Sequence, residues 1–301
     1  MARHSTGQQR REICCRINRL RVGLGTFVSL EAEASTHQIA KSGIDRAWTA
    51  IRRIEKLLHP ARPGSDLQRI GKASPGEEIE VDAWTYELLE IAHRVHAATK
   101  GVFDPCLPVL RGRLSDLELL DANRVRAHRP LSLDLGGIAK GYAVDRAVHA
   151  LREAGCSAGL VNAGGDLRGF GRLRLIRCLP IGRAVRLWDG ALAASQPAAP
   201  ARPSGHRGYY RRITGDTRRS RVRPLAVAVV QAPTAALADA LTKYVLLGPA
   251  TSQQGVLRQF GARALLRAPE YASHTTRPSA GRQRKPQVRQ QKVSWPAASM
   301  S

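Results

Sequence analysis

The sequence predicts an α+β fold, with mixed sheets flanked by helices. Two amphipathic helical stretches, several short segments of alternating apolar residues, and a strand–glycine turn–helix unit carry that expectation. Leu24 to Ala34 alternates as a strand. Ile44 to Leu58 places Ile44, Trp48, Ile51, Ile54 and Leu58 on one helical face. His59 to Gly64 is a Pro/Gly turn. Asp82 to Lys100 reads as a second helix, capped by Asp82 and stopped by Gly101, with Trp84, Leu88, Ile91 and Val95 as its apolar stripe. Leu114 to Arg129 is loop with a short element. Leu131, Leu133 and Leu135 then alternate as a buried strand, which Gly136-Gly137 breaks. From Ile138 the apolar spacing is helical, through Ala143, Ala147, Val148 and Leu151 to the stop at Gly155. A glycine-rich strand pair runs from Gly159 to Gly171, and a poorly patterned Arg/Pro/Ala region continues to Arg223. Leu225 to Val230 is a strand, Thr234 caps a helix that ends at Leu247 before Gly248, and Ala262 to Leu266 is a final strand.

Composition narrows the classes. At 301 residues the chain can bury one substantial core, and with aromatic content of 5% that core rests on Ala, Val, Leu and Ile. The formal net charge of +24 invites a nucleic-acid reading. The excess is concentrated, however. Residues 1–12 form a basic arm, Arg202 to Arg223 holds a single acid (Asp216), and residues 269–301 form a polar, basic tail without periodicity, expected to be disordered. Between arm and tail, residues 13–268 are expected to be one domain. No nucleic-acid-binding module is recognisable, and few aromatics are available for stacking. Five cysteines without Cys-x-x-Cys spacing argue against a disulfide framework or zinc site. No apolar run resembles a signal peptide, a membrane span or a lipid-anchoring segment before Cys14-Cys15. The expectation is a cytoplasmic protein as the sequence stands, or a periplasmic one if its true N-terminus differs.

The unit around Gly136-Gly137 is the first chemical candidate. A glycine turn opening a helix presents unpaired backbone N–H groups and the positive end of the dipole to an anion. Here Asp134 precedes the turn and Lys140 lies just inside the helix, so phosphate and a cation could meet. The alternative is an ordinary turn with surface charges. The chain uses forty Arg and eight Lys, which makes a lysine at this place less incidental, because Lys suits a phosphate as a compact point charge. Asp239, in the first half of the capped apolar helix, is the second candidate; it could equally form a surface i,i+4 ion pair with Lys243.

Several motifs occur in a constant order. They are Gly25-Thr-Phe-Val28, Arg62-Pro-Gly-Ser-Asp-Leu67, Gly101-Val-Phe-Asp-Pro105, Asn162-Ala-Gly-Gly-Asp166, Ala191-Leu-Ala-Ala-Ser195 and Ala238-Asp-Ala-Leu-Thr-Lys243. With the Ser132–Asp145 stretch they resemble the ApbE-like FAD:protein FMN transferases, from about residue 23 to residue 268. The resemblance implies the ApbE-like flavin transferase fold and magnesium-dependent transfer of FMN from FAD to a Thr or Ser hydroxyl of a partner flavoprotein, with release of AMP. The acceptor it implies is a flavoprotein, often a membrane electron-transfer subunit. By this resemblance Leu24, Val102, Phe103, Asp104, Asp134 and Lys140 contact FAD, and Ala61 stands where relatives carry a tyrosine; Phe103 could equally be a packing residue, and Asp104 a turn former before Pro105. The implied metal set is the Gly137 carbonyl, Asp239 and a group near Lys243, where many relatives have Thr; Thr242 could substitute. Asn162 to Asp166 is expected to be a structural turn rather than a direct part of the site. The His-Ile-x-Asp-Pro-x-Thr-Gly motif of relatives is degraded to Tyr210–Arg218. That leaves Ile213 to line the flavin and His206 as the candidate general base. Two alternatives stay open: a flavin-binding relative that no longer transfers, and a basic nucleic-acid-associated protein.

Overall fold

The computed structural model describes residues 15–106, 112–196 and 227–266. The arm at 1–12, the tail at 269–301, and His206 and Ile213 lie outside them.

Strands β1 (Cys15–Gly23) and β2 (Thr26–Ala34) form a hairpin. The expected single strand from Leu24 is therefore corrected. Leu24 and Gly25 both have positive φ (54° and 70°) and form the two-residue turn between the strands. The arginines of β1 had masked its alternation. Helix α1 (His37–Leu57) begins seven residues before Ile44, because Thr36 caps it through the Ile39 amide at 3.2 Å and small buried residues, Ala40 and Gly43, fill its first turns. Helix α2 (Asp66–Lys72), capped by Ser65, and strand β3 (Glu78–Glu80) lead to helix α3 (Ala83–Ala98), with Asp82 as its cap as expected. Strands β4 (Leu117–Leu119) and β5 (Arg124–Ala127) join β3 in a small sheet ordered β3–β5–β4.

The stretch 131–135 is not a strand. Its leucines are buried, but only an isolated bridge from Cys106 to Leu133 pairs it. The Asp134 carboxylate accepts from the Gly136 amide at 2.8 Å and turns the chain into a short 3₁₀ turn, Leu135–Gly137. Alternation here recorded burial rather than pairing. Helix α4 (Ala139–Glu153) follows directly.

Strands β6 (Ala158–Ala163) and β7 (Asp166–Phe170) are the glycine-rich pair, turned by Gly164-Gly165 at positive φ. Three strands lie in the stretch that had seemed unpatterned: β8 (Arg174–Cys178), β9 (Arg183–Leu187) and β10 (Gly190–Ser195). The fold closes with β11 (Ala228–Ala232), α5 (Ala235–Leu247), α6 (Ala250–Gln259) and β12 (Arg263–Leu266).

Seven strands make one sheet, ordered β1–β2–β6–β7–β10–β11–β12, with every neighbouring pair antiparallel. Helices α1, α4 and α5 pack on it, and their apolar faces meet its strands in the main core. The β8–β9 ribbon contributes Val185 and Leu187 to a smaller cluster with Leu167, Leu192 and Val229 of the sheet. Antiparallel sheets with helices segregated from them are an α+β architecture, as the sequence predicted.

Candidate functional site

The site is set by how closely α4 and α5 approach. A Cβ built on Gly141 of α4 would lie 2.1 Å from the Ala235 carbonyl oxygen, so only glycine lets the two backbones touch there. One turn on, the Asp145 carboxylate accepts from the Ala235 and Ala236 amides, both at 2.8 Å, and from Arg168 of β7 at 2.8 Å. That carboxylate pairs two of the donors that the first turn of a helix leaves unpaired, and its charge lies at the positive end of the dipole. The sequence therefore pins the start of α5 against the middle of α4.

The pinning places Asp239, one turn into α5, beside Lys140 at the start of α4. Asp239 is fully buried and accepts from the Gly141 amide at 3.3 Å, and its Oδ2 lies 3.8 Å from Lys140 Nζ. Lys140 Nζ bonds Asp166 Oδ2 at 2.5 Å. Asp166 begins β7, is 2% exposed, and was expected to be only a turn residue; with Ser195 of β10 it is a member of the cluster that sequence reasoning missed. Its place at the end of the Asn-Ala-Gly-Gly-Asp run, where a tight turn delivers a carboxylate, was the available signal.

Lys243 completes the cluster. Its ammonium bonds Asp239 Oδ1, the Asp239 carbonyl at 3.0 Å and Ser195 Oγ at 3.2 Å. Ser195 Oγ also lies 2.7 Å from Thr242 Oγ1, which donates to the Asp239 carbonyl at 2.6 Å. The Asp239–Lys243 pair thus exists, but in the interior rather than at the surface, with Lys243 only 5% exposed.

Two carboxylates and two ammoniums share this space, and their titration is asymmetric. Burial, reinforced by the charge of Asp239, pushes Asp166 up to about 6 against the pull of both lysines. Burial alone would raise Asp239 too, but Lys140, Lys243 and the Gly141 amide overcome it and hold it below the usual carboxylate range.

The remaining expected residues fall in several places. Gly137 is buried in the 3₁₀ turn, which packs against α5. Asp134 caps that turn. Asp104 Oδ1 accepts from the Cys106 amide at 2.8 Å and the Leu114 amide at 3.2 Å, so it shapes its own turn. Phe103 is fully buried in the main core, and Val102 is half-buried beside it. The amide of Leu24, in the β1–β2 turn, bonds Glu55, and that of Ala61, in the exposed turn before α2, bonds His59 Nδ1 at 3.2 Å. Among the bonds of the described residues, Lys140, Asp166, Ser195, Asp239, Thr242 and Lys243 form one connected group, and Leu24 and Ala61 bond elsewhere.

Of the metal set that the resemblance implies, Asp239 already carries an ammonium, and the residues do not fit magnesium as they stand. Lys243 already occupies Asp239 Oδ1, the Asp239 carbonyl and Ser195. An ammonium has three donors and no lone pair, so it cannot serve as a ligand. Among the described residues, no group of three His, Cys, Asp or Glu side chains could hold a metal ion.

The profile of the ApbE family matches residues 24–114 and 110–266, nearly the whole of the described domain. The chain belongs to the ApbE family. Solved members share the fold. The apo flavinyl transferase ApbE of Pseudomonas stutzeri aligns with a TM-score of 0.65 at 18% identity, over 83% of this chain and 90% of that one. The flavin transferase ApbE of Vibrio cholerae gives 0.65 at 19%, over 83% and 92%. The ApbE protein of Thermotoga maritima gives 0.64 at 24%, over 82% and 91%. A curated FAD:protein FMN transferase of Rhodobacter capsulatus is 26% identical over 176 residues, which span 49% of this chain and 33% of that relative. The chain thus matches about a third of the curated relative's length. No helix among the described residues is long and apolar enough to cross a membrane.

Proposed function

We propose that the chain transfers FMN from FAD to a Thr or Ser hydroxyl of a partner flavoprotein and releases AMP. The observation that carries this reading is the Lys140–Asp166–Asp239 group at the start of α4, in a chain of the ApbE family. The α4 N-terminus and Lys140 offer positive charge to the diphosphate of FAD. The acceptor hydroxyl attacks the phosphorus on the FMN side. A new P–O bond forms, the anhydride P–O bond breaks, and AMP leaves with the bonding electrons. The hydroxyl proton passes to a base, for which His206 is our assignment, and Ile213 lines the flavin. Asp134, Val102 and Asp104 belong to the FAD-binding surface in this reading, with Leu24 and Ala61 as further contacts that the family implies; Phe103, expected to contact FAD, is fully buried and supports that surface from the core instead. The acceptor is a flavoprotein carrying a Thr or Ser in an exposed motif, such as a membrane electron-transfer subunit. Magnesium dependence is the family's expectation at Gly137, Asp239 and Thr242. Lys243 already holds Asp239 Oδ1 and the Asp239 carbonyl, so the chain's own residues carry every step above.

Incubation of the full chain with FAD and acceptor peptides, in EDTA and in magnesium, tests the reading. Mass spectrometry should show one FMN added to the peptide, with AMP in equal amount. Stoichiometric FAD binding without AMP release would overturn transfer and leave a flavin-binding relative. Binding of nucleic acid in preference to FAD, with a steep salt dependence, would overturn the flavin reading altogether.

A further inference from the structure

We infer that Lys243 is a tethered cation: its ammonium fills the place beside Asp239 that a divalent ion would otherwise take, and the chain binds the diphosphate of its substrate without a metal. The second half rests on the flavin reading above; the first stands on geometry alone.

Three oxygens from two elements surround Lys243 Nζ: Asp239 Oδ1, the Asp239 carbonyl and Ser195 Oγ. An all-oxygen shell of carboxylate, carbonyl and hydroxyl is what a hard cation selects. The three donors of an ammonium match it one to one. The shell is also held from behind, since Thr242 Oγ1 donates to the same carbonyl and contacts Ser195. A surface ion pair would leave its partners free to move in water. Here Asp239 is fully buried and the Lys243 side chain is 7% exposed, so the contact is built into the fold.

Charge points the same way. Asp239 and Asp166 carry at most two negative charges, and Lys140 and Lys243 carry two positive ones. A buried carboxylate needs a compensating charge. A lysine one turn further along the same helix supplies it without capture of an ion from solution. A divalent ion entering this space would have to expel Lys243 Nζ from Asp239 and would add two charges to a balanced group.

The test uses the full chain and Mn²⁺ as probe, followed by electron paramagnetic resonance without nucleotide. Wild type should retain no stoichiometric Mn²⁺. Lys243→Thr should bind one equivalent, at least about 10-fold more tightly than wild type, and should lose it on adding Asp239→Asn. Lys243→Met, which supplies neither charge nor oxygen, should bind none. Circular dichroism establishes that each variant is folded. In a second arm, flavin fluorescence should report equal FAD affinity of wild type in EDTA and in magnesium, and magnesium-dependent affinity of Lys243→Thr. One Mn²⁺ retained by wild type and lost in Asp239→Asn would overturn the inference, as would a folded Lys243→Thr that gains none. FAD affinity of wild type that vanishes in EDTA and returns with magnesium would also overturn it. If no variant binds FAD in either medium, the flavin reading and the metal-free diphosphate claim fall, while the Mn²⁺ arm still decides the tethered cation.

Discussion

Gly141→Ala separates two physical effects that point in opposite directions. In a helix interior, Ala is favoured over Gly by about 1 kcal/mol. Helix α4 should therefore gain from the change if nothing opposed it. The Cβ of residue 141 would however lie 2.1 Å from the Ala235 oxygen, 2.4 Å from its carbonyl carbon and 2.7 Å from the Ala236 nitrogen. All three are backbone atoms and cannot rotate away. Relief requires α5 to move back by roughly 1 Å, given the usual separation of nonbonded atoms. That movement stretches the Gly141–Asp239 bond at 3.3 Å and both Asp145–amide bonds at 2.8 Å. Overpacking costs about 1–3 kcal/mol, and each weakened charge-assisted bond adds to it. The net expectation is a loss of about 2–3 kcal/mol after the helix gain is deducted. For a domain of this size that lowers Tm by about 4–12 °C. Urea and thermal unfolding measure it directly. Gly255→Ala in α6 is the matched control, because nothing lies within 4 Å of its added Cβ. It should gain about 0.5–1 kcal/mol. If Gly141→Ala is stabilised as much as Gly255→Ala, the two helices do not approach as described and the placement of Asp239 beside Lys140 fails with them.

Two further predictions concern the charges on β2. Glu33 is 1% exposed and pairs with Arg172 at 2.5 Å and with Arg174 at 3.6 Å, but both arginines also pair with Glu31 and Arg172 is 40% exposed, so Glu33→Ala should cost only about 1–2 kcal/mol in urea melts. At Glu31 burial acts upward, but Arg16 and Arg174 together outweigh it and lower the pKa. A depressed carboxylate contributes stability above its unfolded pKa and loses it as the pH falls through the folded one. The stability gap between wild type and Glu31→Gln should therefore shrink as the pH is lowered below the ordinary glutamate range. A gap that widens on acidification refutes the assignment.

Legibility in the sequence followed the strength of local signals. The helix from Thr234 to Gly248 and the strand pair around Gly164-Gly165 could be read because caps, glycines and periodicity agree there. Strands β8 to β10 could not. Four arginines in Arg174–Leu187 break the apolar alternation, and only one side of the ribbon meets the sheet. Helix α6 buries only Gln253 and Leu257 and so has no stripe to find. Site residues were legible where a motif named them, as with Lys140 and Asp239. Asp166 was not, because its role depends on strand register. Pairing of Ala163 with Asp166 across the β6–β7 turn brings its carboxylate to Lys140, from 26 residues away along the chain.

The buried charges of the site also bear on what the cluster is for. Replacing a buried ion pair by apolar side chains of similar volume is often neutral or stabilising, whereas removing one partner is costly. Lys243→Met leaves Asp239 Oδ1 without its donor in a fully buried position, and should cost about 3–5 kcal/mol. Adding Asp239→Leu removes the stranded carboxylate, fills its volume, and leaves Lys140 with Asp166. The double variant should then recover most of the loss and lie within about 1–2 kcal/mol of wild type, while binding no substrate diphosphate. Urea melts of the four proteins give the coupling energy, expected at about 3 kcal/mol or more, because each single variant strands one buried charge and the double variant strands neither. Additivity within about 0.5 kcal/mol would mean that the two side chains do not share one buried space. Recovery of stability without recovery of binding would separate the two roles: the apolar sheet–helix core holds the fold, and the charges are retained for what they hold.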